Sequence, residues 1–329
     1  MKKKKIVLSG MRPTDKLHIG HWVGALSNWV SLQNEYSCFF MVADWHALMS
    51  EYKDSSRIGK FAFDNVCDWL VYGVDPQKSI IFVQSDVNQH LELFLTLSLI
   101  TPLGWLFRCP TFKEQMKQLK DKEINTYAFL GYPVLQASDI LLYRANYVPV
   151  GQDQLPHLEL CREIVRRFHT LYKNGVFVEP QPLLTSTSRL LGLDGRKMSK
   201  SYDNFISLDE EDRTLERKVL SMFTDPQRQK KADPGHPQNC NVYTYYSVFQ
   251  PQMKDEVEDW CRNAKRGCVE CKKILAGILR EFIAPKREKK RGFLKKKDYI
   301  YDILREGKAK AEKVASETLQ EAKRTMKLL

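Results

Sequence analysis

The sequence has 329 residues, of which 43% are hydrophobic and 28% charged, and its net charge of +12 comes from 52 basic and 40 acidic residues. This composition is typical of a folded, soluble protein of two domains, and no apolar run approaches the about 20 residues that cross a bilayer. Lysines at residues 2–5 precede only a short apolar segment, which is not a secretory signal, so we expect a cytoplasmic protein. The positive charge favours a polyanionic partner.

Apolar runs that predict buried strands alternate with helical patterns over the first 205 residues. Strands are predicted at 6–8, 38–43, 79–83 and 147–150, and helices at 20–33, 55–73 and 157–168. This alternation is typical of an α/β fold with a Rossmann-type parallel sheet, whose ligands bind at the carboxyl ends of the strands. Residues 88–138 predict a helical insertion into this nucleotide-binding domain.

The strand pattern ends near residue 205. Beyond it, helices are predicted at 209–223, 253–283 and 298–327, with basic loops between them. We therefore predict a Rossmann-type domain over residues 1–205 and an all-helical domain over residues 206–329.

A His-Ile-Gly-His sequence follows the turn after the first predicted strand. His18 and His21 are three residues apart and share one helix face, where two imidazoles can donate hydrogen bonds to phosphate oxygens. The start of the predicted helix offers amide groups to an anion, and Gly20 lets a flat ring lie against bare backbone. Two histidines near a helix start also fit an ordinary surface.

The segment from Lys197 to Ser201 reads Lys-Met-Ser-Lys-Ser and follows Gly192 and Gly195, which permit movement of a loop. Lys197 and Lys200 supply positive charge where a leaving pyrophosphate becomes more negative, which is electrostatic stabilisation of a transition state. A Lys-x-x-Lys pair alone is more often a solvated surface.

Together and in this order, the two motifs resemble the two-part ATP site of class I aminoacyl-tRNA synthetases. The resemblance implies that an amino acid carboxylate attacks the α-phosphate of ATP, bound with Mg²⁺, and that the aminoacyl group then passes to the 3′ end of a tRNA. The catalytic residues that it implies are His18, His21, Lys197 and Lys200. The ATP-binding residues that it implies are Arg12, Pro13, Thr14, Gly20, His21, Gly151, Gln152, Asp153, Leu190, Lys197, Met198, Ser199, Lys200 and Ser201.

Tyr132, Gln136 and Asp139 lie on one face of an apolar predicted helix, at spacings of four and three. Buried polar groups need partners, and Asp139 can accept a hydrogen bond from an indole N–H or a phenol O–H, so that phenylalanine is rejected. The segment resembles tryptophanyl-tRNA synthetases, in which this Asp binds the indole nitrogen. Tyrosyl-tRNA synthetases use a related face, so this stretch alone leaves both open.

The segments around residues 9–14 and 148–163 also resemble the tryptophanyl enzymes, and the resemblance covers most of residues 6–205. It implies L-tryptophan as the amino acid and a homodimer as the assembly. The tryptophan-binding residues that it implies are Asp139, Tyr132, Gln136, Gln154, His46, Leu8, Gly10, Val42, Val148 and Val150. For the apolar members, ordinary core packing is the alternative.

Four of the eight cysteines lie close together near the C-terminus, namely Cys240, Cys261, Cys268 and Cys271. Four thiolates suit a zinc ion or an iron–sulfur cluster. The spacing resembles that of bacterial tryptophanyl-tRNA synthetases with a four-iron cluster, which implies a [4Fe–4S] centre, with Zn²⁺ or four unrelated thiols as alternatives. The other cysteines, scattered among apolar neighbours, are predicted to be small core residues.

A basic run next to the predicted helical domain comprises Lys286, Arg287, Lys289, Lys290, Arg291, Lys295, Lys296 and Lys297. A charge run is usually a solvated face, but here we expect contacts with the phosphates of tRNA(Trp), and affinity that falls with salt. Three alternatives stay open: a tyrosyl-tRNA synthetase, a synthetase-like paralogue that binds RNA without charging it, and a nucleotidyltransferase. The last shares the His-x-Gly-His turn but does not explain the lysine loop.

Overall fold

The computed structural model describes residues 4–109, 125–184, 190–199 and 202–328. The chain forms two compact units. The first, the sheet unit, comprises Met1–Asp15, Trp29–Ser186 and Lys296–Leu329, and the second, the helical unit, comprises Lys16–Asn28 and Thr187–Lys295. The bounds of these two units differ from the two predicted domains, which meet near residue 205. That residues 206–329 form the domain that binds tRNA stays a prediction.

Five parallel strands form the sheet, in the order β3-β2-β1-β4-β5. Their bounds are β1 (Ile6–Met11), β2 (Ser37–Val42), β3 (Ser79–Val83), β4 (Tyr147–Val150) and β5 (Gln181–Leu184). The order reverses between β1 and β4, which is the switch point where parallel sheets of this kind bind ligands. The predicted Rossmann-type sheet is therefore confirmed.

The sequence patterns did not indicate β5. Its Gln-Pro-Leu-Leu sequence lacks a run of β-branched residues, and Pro182 argues against a central strand. In the structure β5 lies at the edge of the sheet and pairs only with β4 among the described strands. A proline is tolerated there because the outer side of an edge strand needs no N–H donor.

The helices that the structure describes connect and follow these strands. In chain order they are α1 (Ile19–His21), α2 (Ser27–Glu35), α3 (Asp44–Glu51), α4 (Ile58–Val71), α5 (Gln89–Ser98), α6 (Leu103–Arg108), α7 (Tyr127–Leu142), α8 (Leu155–Tyr172), α9 (Asp212–Leu220), α10 (Asn241–Phe249), α11 (Lys254–Arg262), α12 (Cys268–Lys295) and α13 (Lys297–Thr325). A π-helical turn, Trp22–Leu26, joins α1 to α2. None of the described helices has the length and apolar character that crossing a membrane requires.

The core of the sheet unit is built from strand residues and one face of each covering helix. On α8, the buried residues recur with the helical period, among them Leu158, Cys161, Val165 and Phe168. The side-chain oxygen of Thr126 caps the start of α7 by accepting the N–H of Phe129. Cys38, Cys67, Cys109 and Cys161 are all buried, which confirms them as core residues.

The last helix, α13, packs against the edge strand β3 within the sheet unit. Gly307, Ala311, Ala315 and Ala322 are buried along its inner face. A Cβ atom at Gly307 would overlap the carbonyl oxygen of Ile81, so this close approach requires glycine. The predicted helix over 298–327 is confirmed, and it covers a strand edge that would otherwise be open to pairing.

Two predictions in the helical unit are wrong. The basic run was predicted as a loop, but α12 continues through Pro285 to Lys295. An interior proline costs a helix one hydrogen bond, and the next turn offsets this because Arg287 and Lys290, both buried, pair with Asp212 at 2.9 Å and Asp209 at 3.2 Å. Conversely, the helix predicted over 253–283 is broken between α11 and α12, where Ala264 has a φ of 52°.

Candidate active site

The residues implied by the resemblance lie in both units. The sheet unit contains the implied tryptophan-binding residues and the turns after β1 and β4. The helical unit contains His18, Gly20, His21 and the lysine loop, together with the four late cysteines. Lys200 and Ser201 lie outside the described residues.

Asp139 on α7 is the centre of a buried polar network. Its Oδ2 lies 2.7 Å from His46 Nε2, and its Oδ1 lies 2.6 Å from His90 Nδ1 and accepts from Gln84 Nε2 at 2.8 Å. Burial alone would raise the pKa of Asp139, but the hydrogen bonds and charges of His46 and His90 hold it below its usual range. The carboxylate is therefore ionised. With three of its about four lone-pair positions used by described residues, one position on Oδ2 is left.

His90 and Gln84 are functional candidates that the sequence patterns did not indicate. Both are fully buried, and the other ring nitrogen of His90 lies 2.8 Å from the hydroxyl of Tyr143. The local sequence offers no signal, because Gln84 and His90 stand among other polar residues in the segment 84–90. These side chains fix Asp139 on one side, and His46, which was predicted, contacts it on the other.

A second chain of hydrogen bonds links Tyr132, His157 and Gln154. The Tyr132 hydroxyl lies 2.7 Å from His157 Nε2, and His157 Nδ1 lies 2.9 Å from Gln154 Oε1. Burial lowers the pKa of His157 to about 4 and raises that of Tyr132 above its usual range. A neutral His157 therefore accepts from Tyr132 and donates to Gln154. His157 was not among the implied residues, and Gln136, one turn after Tyr132, is half-buried.

The low pKa of His157 gives a pH prediction. For tryptophan, the substrate that the resemblance implies, KM is expected to be constant from about pH 6 to pH 8 and to rise as pH falls toward the pKa of about 4, because protonated Nε2 cannot accept from Tyr132. Folding stability falls over the same range, since the unfolded state, with the ordinary pKa of 6.5, binds the proton first. The KM for ATP, measured in parallel, is the control. A tryptophan KM that titrates near the ordinary histidine pKa would contradict the assignment.

The apolar residues predicted to contact the tryptophan ring lie on three adjacent strands. Leu8 is on β1, Val42 on β2, and Val148 and Val150 on β4, all buried. Leu8, Val148 and Val150 also belong to the hydrophobic core of the sheet unit, so ring contact stays a prediction for them. Gly10 lies near the end of β1, where a Cβ would be 3.0 Å from the carbonyl oxygen of Met41.

The implied ATP-binding residues of the sheet unit lie in two turns. After β1, Thr14 N–H donates to the carbonyl of Arg12 at 2.9 Å across Pro13, and the Arg12 guanidinium donates to Ser50 Oγ. After β4, Gly151 begins a 3₁₀ turn that contains Gln152 and Asp153. A Cβ at Gly151 would lie 2.6 Å from Asp153 Oδ1, so a larger residue there would require the Asp153 side chain to move.

In the helical unit, the two sequence motifs contact each other at Gly20. A Cβ there would lie 2.9 Å from His18 Nδ1 and 3.2 Å from the sulfur of Met198. The His18 and His21 rings have centroids 3.8 Å apart, and His21 Nδ1 accepts the backbone N–H of His18 at 3.1 Å. A neutral His21 therefore carries its proton on Nε2, where a phosphate oxygen can accept it.

The predicted anion site at the start of a long helix needs correction. The helix begins with the three residues of α1 and continues as a π-helical turn, so the regular amide array is short. The N–H of Ile19 donates to the carbonyl of Ile206 at 3.0 Å and does not point to an open anion site. The imidazoles, not the helix terminus, are the phosphate ligands that this geometry supports.

Residues 190–199 form the lysine hairpin. Leu191 pairs antiparallel with Lys197, and Gly192 N–H donates to the carbonyl of Arg196 at 2.8 Å. Lys197 is exposed, whereas Leu190 and Met198 are buried. Gly195 has a φ of 79°, which explains its glycine.

Asn204, which no sequence pattern indicated, fixes the end of this hairpin. It is buried, its Oδ1 accepts the N–H of Ser199 at 2.8 Å, and its Nδ2 donates to the carbonyl of Lys197 at 3.1 Å. A Cβ at Gly192 would overlap this amide. Gly192 therefore makes room for Asn204.

The four late cysteines line one cavity of about 30 Å³, together with Arg228 and Arg266. Burial raises the pKa values of Cys240, Cys261 and Cys271, that of Cys271 to about 12. No three His, Cys, Asp or Glu side chains in the described parts of the chain are placed to hold one metal ion. The four thiols therefore share one cavity, but their positions among the described residues do not form a site for a metal ion of either kind that was predicted.

Comparison with known proteins identifies relatives over the whole chain. The family model for tRNA synthetases class I (W and Y) matches residues 1–284. The tryptophan–tRNA ligase of Thermotoga maritima is 48% identical over 326 residues, which cover 98% of this chain and 99% of that protein. The ligase of Aquifex aeolicus is 40% identical, with 98% and 99% covered. The structure of tryptophanyl-tRNA synthetase from Campylobacter jejuni, complexed with ADP and tryptophan, matches with a TM-score of 0.88 at 32% identity, covering 98% of this chain and 99% of that one.

Proposed function

Because the chain belongs to the class I tRNA synthetases for tryptophan and tyrosine, and is a tryptophan–tRNA ligase, we propose the parts that its residues take in the reaction. The enzyme activates L-tryptophan with ATP and transfers it to the 3′ end of tRNA(Trp). The predicted cytoplasmic location stays part of this proposal and is supported by that activity.

Asp139 selects the amino acid. The observation that carries this proposal is a buried, ionised carboxylate with one lone-pair position left on Oδ2, beside His46. That position accepts the indole N–H of tryptophan. Tyr132 and Gln154, held by neutral His157, orient the amino acid together with Gln136.

An isosteric substrate tests this selection. In β-(3-benzothienyl)alanine a sulfur atom replaces the indole N–H, so Asp139 would keep an unpaired lone pair in a buried site. We expect kcat/KM for amino-acid-dependent pyrophosphate exchange to be at least about 100-fold lower than with tryptophan. Equal values for the two substrates would contradict the Asp139 assignment while leaving the ATP site intact.

The helical unit supplies the groups that act on the phosphates of ATP. The tryptophan carboxylate oxygen attacks the α-phosphorus, the bond to the bridging oxygen of the β-phosphate breaks, and pyrophosphate leaves with Mg²⁺. His18 and His21 donate hydrogen bonds to phosphate oxygens, and Lys197 and Lys200 stabilise the charge that develops on the leaving pyrophosphate. Gly20 supports this assignment, because a side chain there would crowd both His18 and Met198.

A homodimer is supported by apolar residues exposed on the helical insertion. Leu95 on α5 and Leu99, the residue directly after α5, are 63% and 73% exposed, and Leu103 and Phe107 on α6 are 57% and 51% exposed. Such a surface is typical of a subunit interface. Sedimentation is expected to show a dimer that the double variant L99E/F107E converts to a monomer. L171E, which changes an exposed leucine on α8, should stay dimeric. A dimeric L99E/F107E would place the interface elsewhere.

Binding of tRNA(Trp) is supported by the exposed lysines of the basic run. Arg287 and Lys290 are used in buried ion pairs, but Lys289 and Lys295 are exposed on α12. The variant K289E is expected to lower tRNA affinity several-fold and to reduce the slope of log affinity against log salt by about one. K60E on α4 is the control, and equal effects of the two would indicate only net charge.

For the cysteine cavity, we propose a [4Fe–4S] cluster held by Cys240, Cys261, Cys268 and Cys271. Four thiols around one cavity and two arginines in its wall support it. When bound, such a cluster supplies a rigid cross-link and a redox centre. Protein purified without oxygen should contain about four iron and four sulfide per chain, lost in C268S and kept in C109A. Stoichiometric zinc, or no metal, would overturn the cluster.

A further inference from the structure

We propose that Asn241 and Tyr245 are positioning residues of the lysine hairpin, and that α10, which carries them, couples the hairpin to the four-cysteine cavity. The inference rests on the proposed function, because the role of the hairpin in ATP activation belongs to it. Every contact that carries the inference lies within the helical unit.

One side of α10 holds the lysine hairpin. Asn241 is buried, and its Nδ2 donates to the carbonyl of Gly192 at 2.7 Å. Tyr245 is fully buried, and its hydroxyl donates to the carbonyl of Leu191 at 2.7 Å. Leu191 is the residue that pairs with Lys197. The two side chains therefore donate hydrogen bonds to the strand of the hairpin that pairs with Lys197.

The same helix is joined to the cysteine cavity. Cys240, which lines the cavity, is the residue directly before α10 and its N-cap position. The hydroxyl of Tyr246 donates to the carbonyl of Cys271, another cavity residue, at 2.7 Å. Two neighbouring tyrosines on α10 therefore bind two different segments. The Tyr245 hydroxyl donates to the lysine hairpin, and the Tyr246 hydroxyl donates to the segment that contains Cys271.

Through these hydrogen bonds, α10 connects the lysine hairpin to the cysteine cavity. A buried carbonyl that loses its donor is destabilised, so we expect the hairpin strand to move with the helix when the helix shifts. A change at Cys240 moves Asn241 through the adjacent peptide bond. Occupancy of the cysteine cavity is therefore expected to set the position of Lys197.

Single hydroxyl deletions on α10 test the hairpin contact. In the variant Y245F, kcat for tryptophan-dependent pyrophosphate exchange should fall about 10-fold, with the KM for tryptophan unchanged because the tryptophan residues lie in the other unit. Y243F is the matched control for the hairpin contact. Tyr243 lines the cysteine cavity, but its hydroxyl donates to Glu258 at 2.8 Å and not to a carbonyl of the hairpin. A kcat for Y245F equal to that of Y243F would overturn the positioning role.

Proteolysis tests the coupling without using activity. Trypsin cleaves after Arg196 and Lys197, and we expect the cleavage rate in C268S, which disrupts the cysteine cavity, to rise at least about 5-fold over wild type. In Y245F/C268S the second substitution should add less than twofold, because the link is already broken. Equal cleavage of C268S and wild type would overturn the coupling. If wild-type protein shows no exchange with tryptophan, the proposed function fails, and these cleavage rates still decide the inference.

Discussion

Replacing Asp139 with asparagine is expected to lower kcat/KM for tryptophan by about 1,000-fold. The substitution removes the buried negative charge and turns one acceptor atom into a donor. His46, His90, Gln84 and the indole N–H all donate toward this group in the proposed arrangement, so the new amide N–H₂ would face donors on one side. An unpaired donor in this buried site weakens binding of the substrate and of the transition state alike.

Two measurements separate this effect from general damage to the fold. Asp68 on α4 is also a buried carboxylate, 1% exposed, outside the candidate site, so D68N is the control. ATP protection of the lysine hairpin from trypsin should be unchanged in D139N, because the hairpin lies in the other unit. A kcat/KM for D139N within about 10-fold of the wild-type value would exclude Asp139 as the residue that binds the indole.

Replacing Lys197 with alanine is expected to lower kcat for tryptophan-dependent exchange by about 100- to 1,000-fold, the usual cost of removing one preorganised group that stabilises transition-state charge. The KM for tryptophan should stay within about twofold, since Lys197 acts only on the phosphates. Stability should be unaffected, because the Lys197 side chain is exposed and only its backbone pairs with Leu191 and Asn204.

Arg196, which precedes Lys197 and carries the same charge, provides a control for K197A. Arg196 is exposed, pairs with Asp194 at 2.6 Å and stacks on Tyr202, so R196A removes a positive charge from the hairpin without touching the proposed phosphate ligand. Its kcat should be within about threefold of wild type. A similar decrease of kcat in K197A and R196A would show that only the total positive charge of the hairpin matters and that Lys197 has no specific role.

The sequence predicted four of the five described strands, because each of these four is a local run of apolar residues. The buried runs at 38–43 and 79–83 need no knowledge of their neighbours, and β2 and β3 lie there in the structure. By contrast, β5 is short and contains Pro182, and its existence depends on pairing with β4. Likewise, α12 continues past Pro285 because Arg287 and Lys290 find acidic partners about 80 residues away in sequence.

The candidate site follows the same division. Asp139, His18, His21 and Lys197 stand in short motifs that a resemblance can identify. The partners of Asp139 and Tyr132 come from distant segments, since Gln84, His90 and His157 precede or follow them by 25 to 55 residues. Only folding brings these side chains together. The contacts of α10 with the lysine hairpin could not be predicted from the sequence either, because no sequence pattern distinguishes Asn241 and Tyr245 from other helix residues.

The most direct test of the central claim is ATP–pyrophosphate exchange on protein purified without oxygen, with tryptophan and tyrosine compared under the same conditions. Exchange with tryptophan and none with tyrosine is the expected result. Exchange with tyrosine alone would contradict tryptophan selection by Asp139 while leaving the fold and the phosphate residues in place. Exchange with neither amino acid would contradict the activation chemistry itself and favour an RNA-binding paralogue that does not charge tRNA.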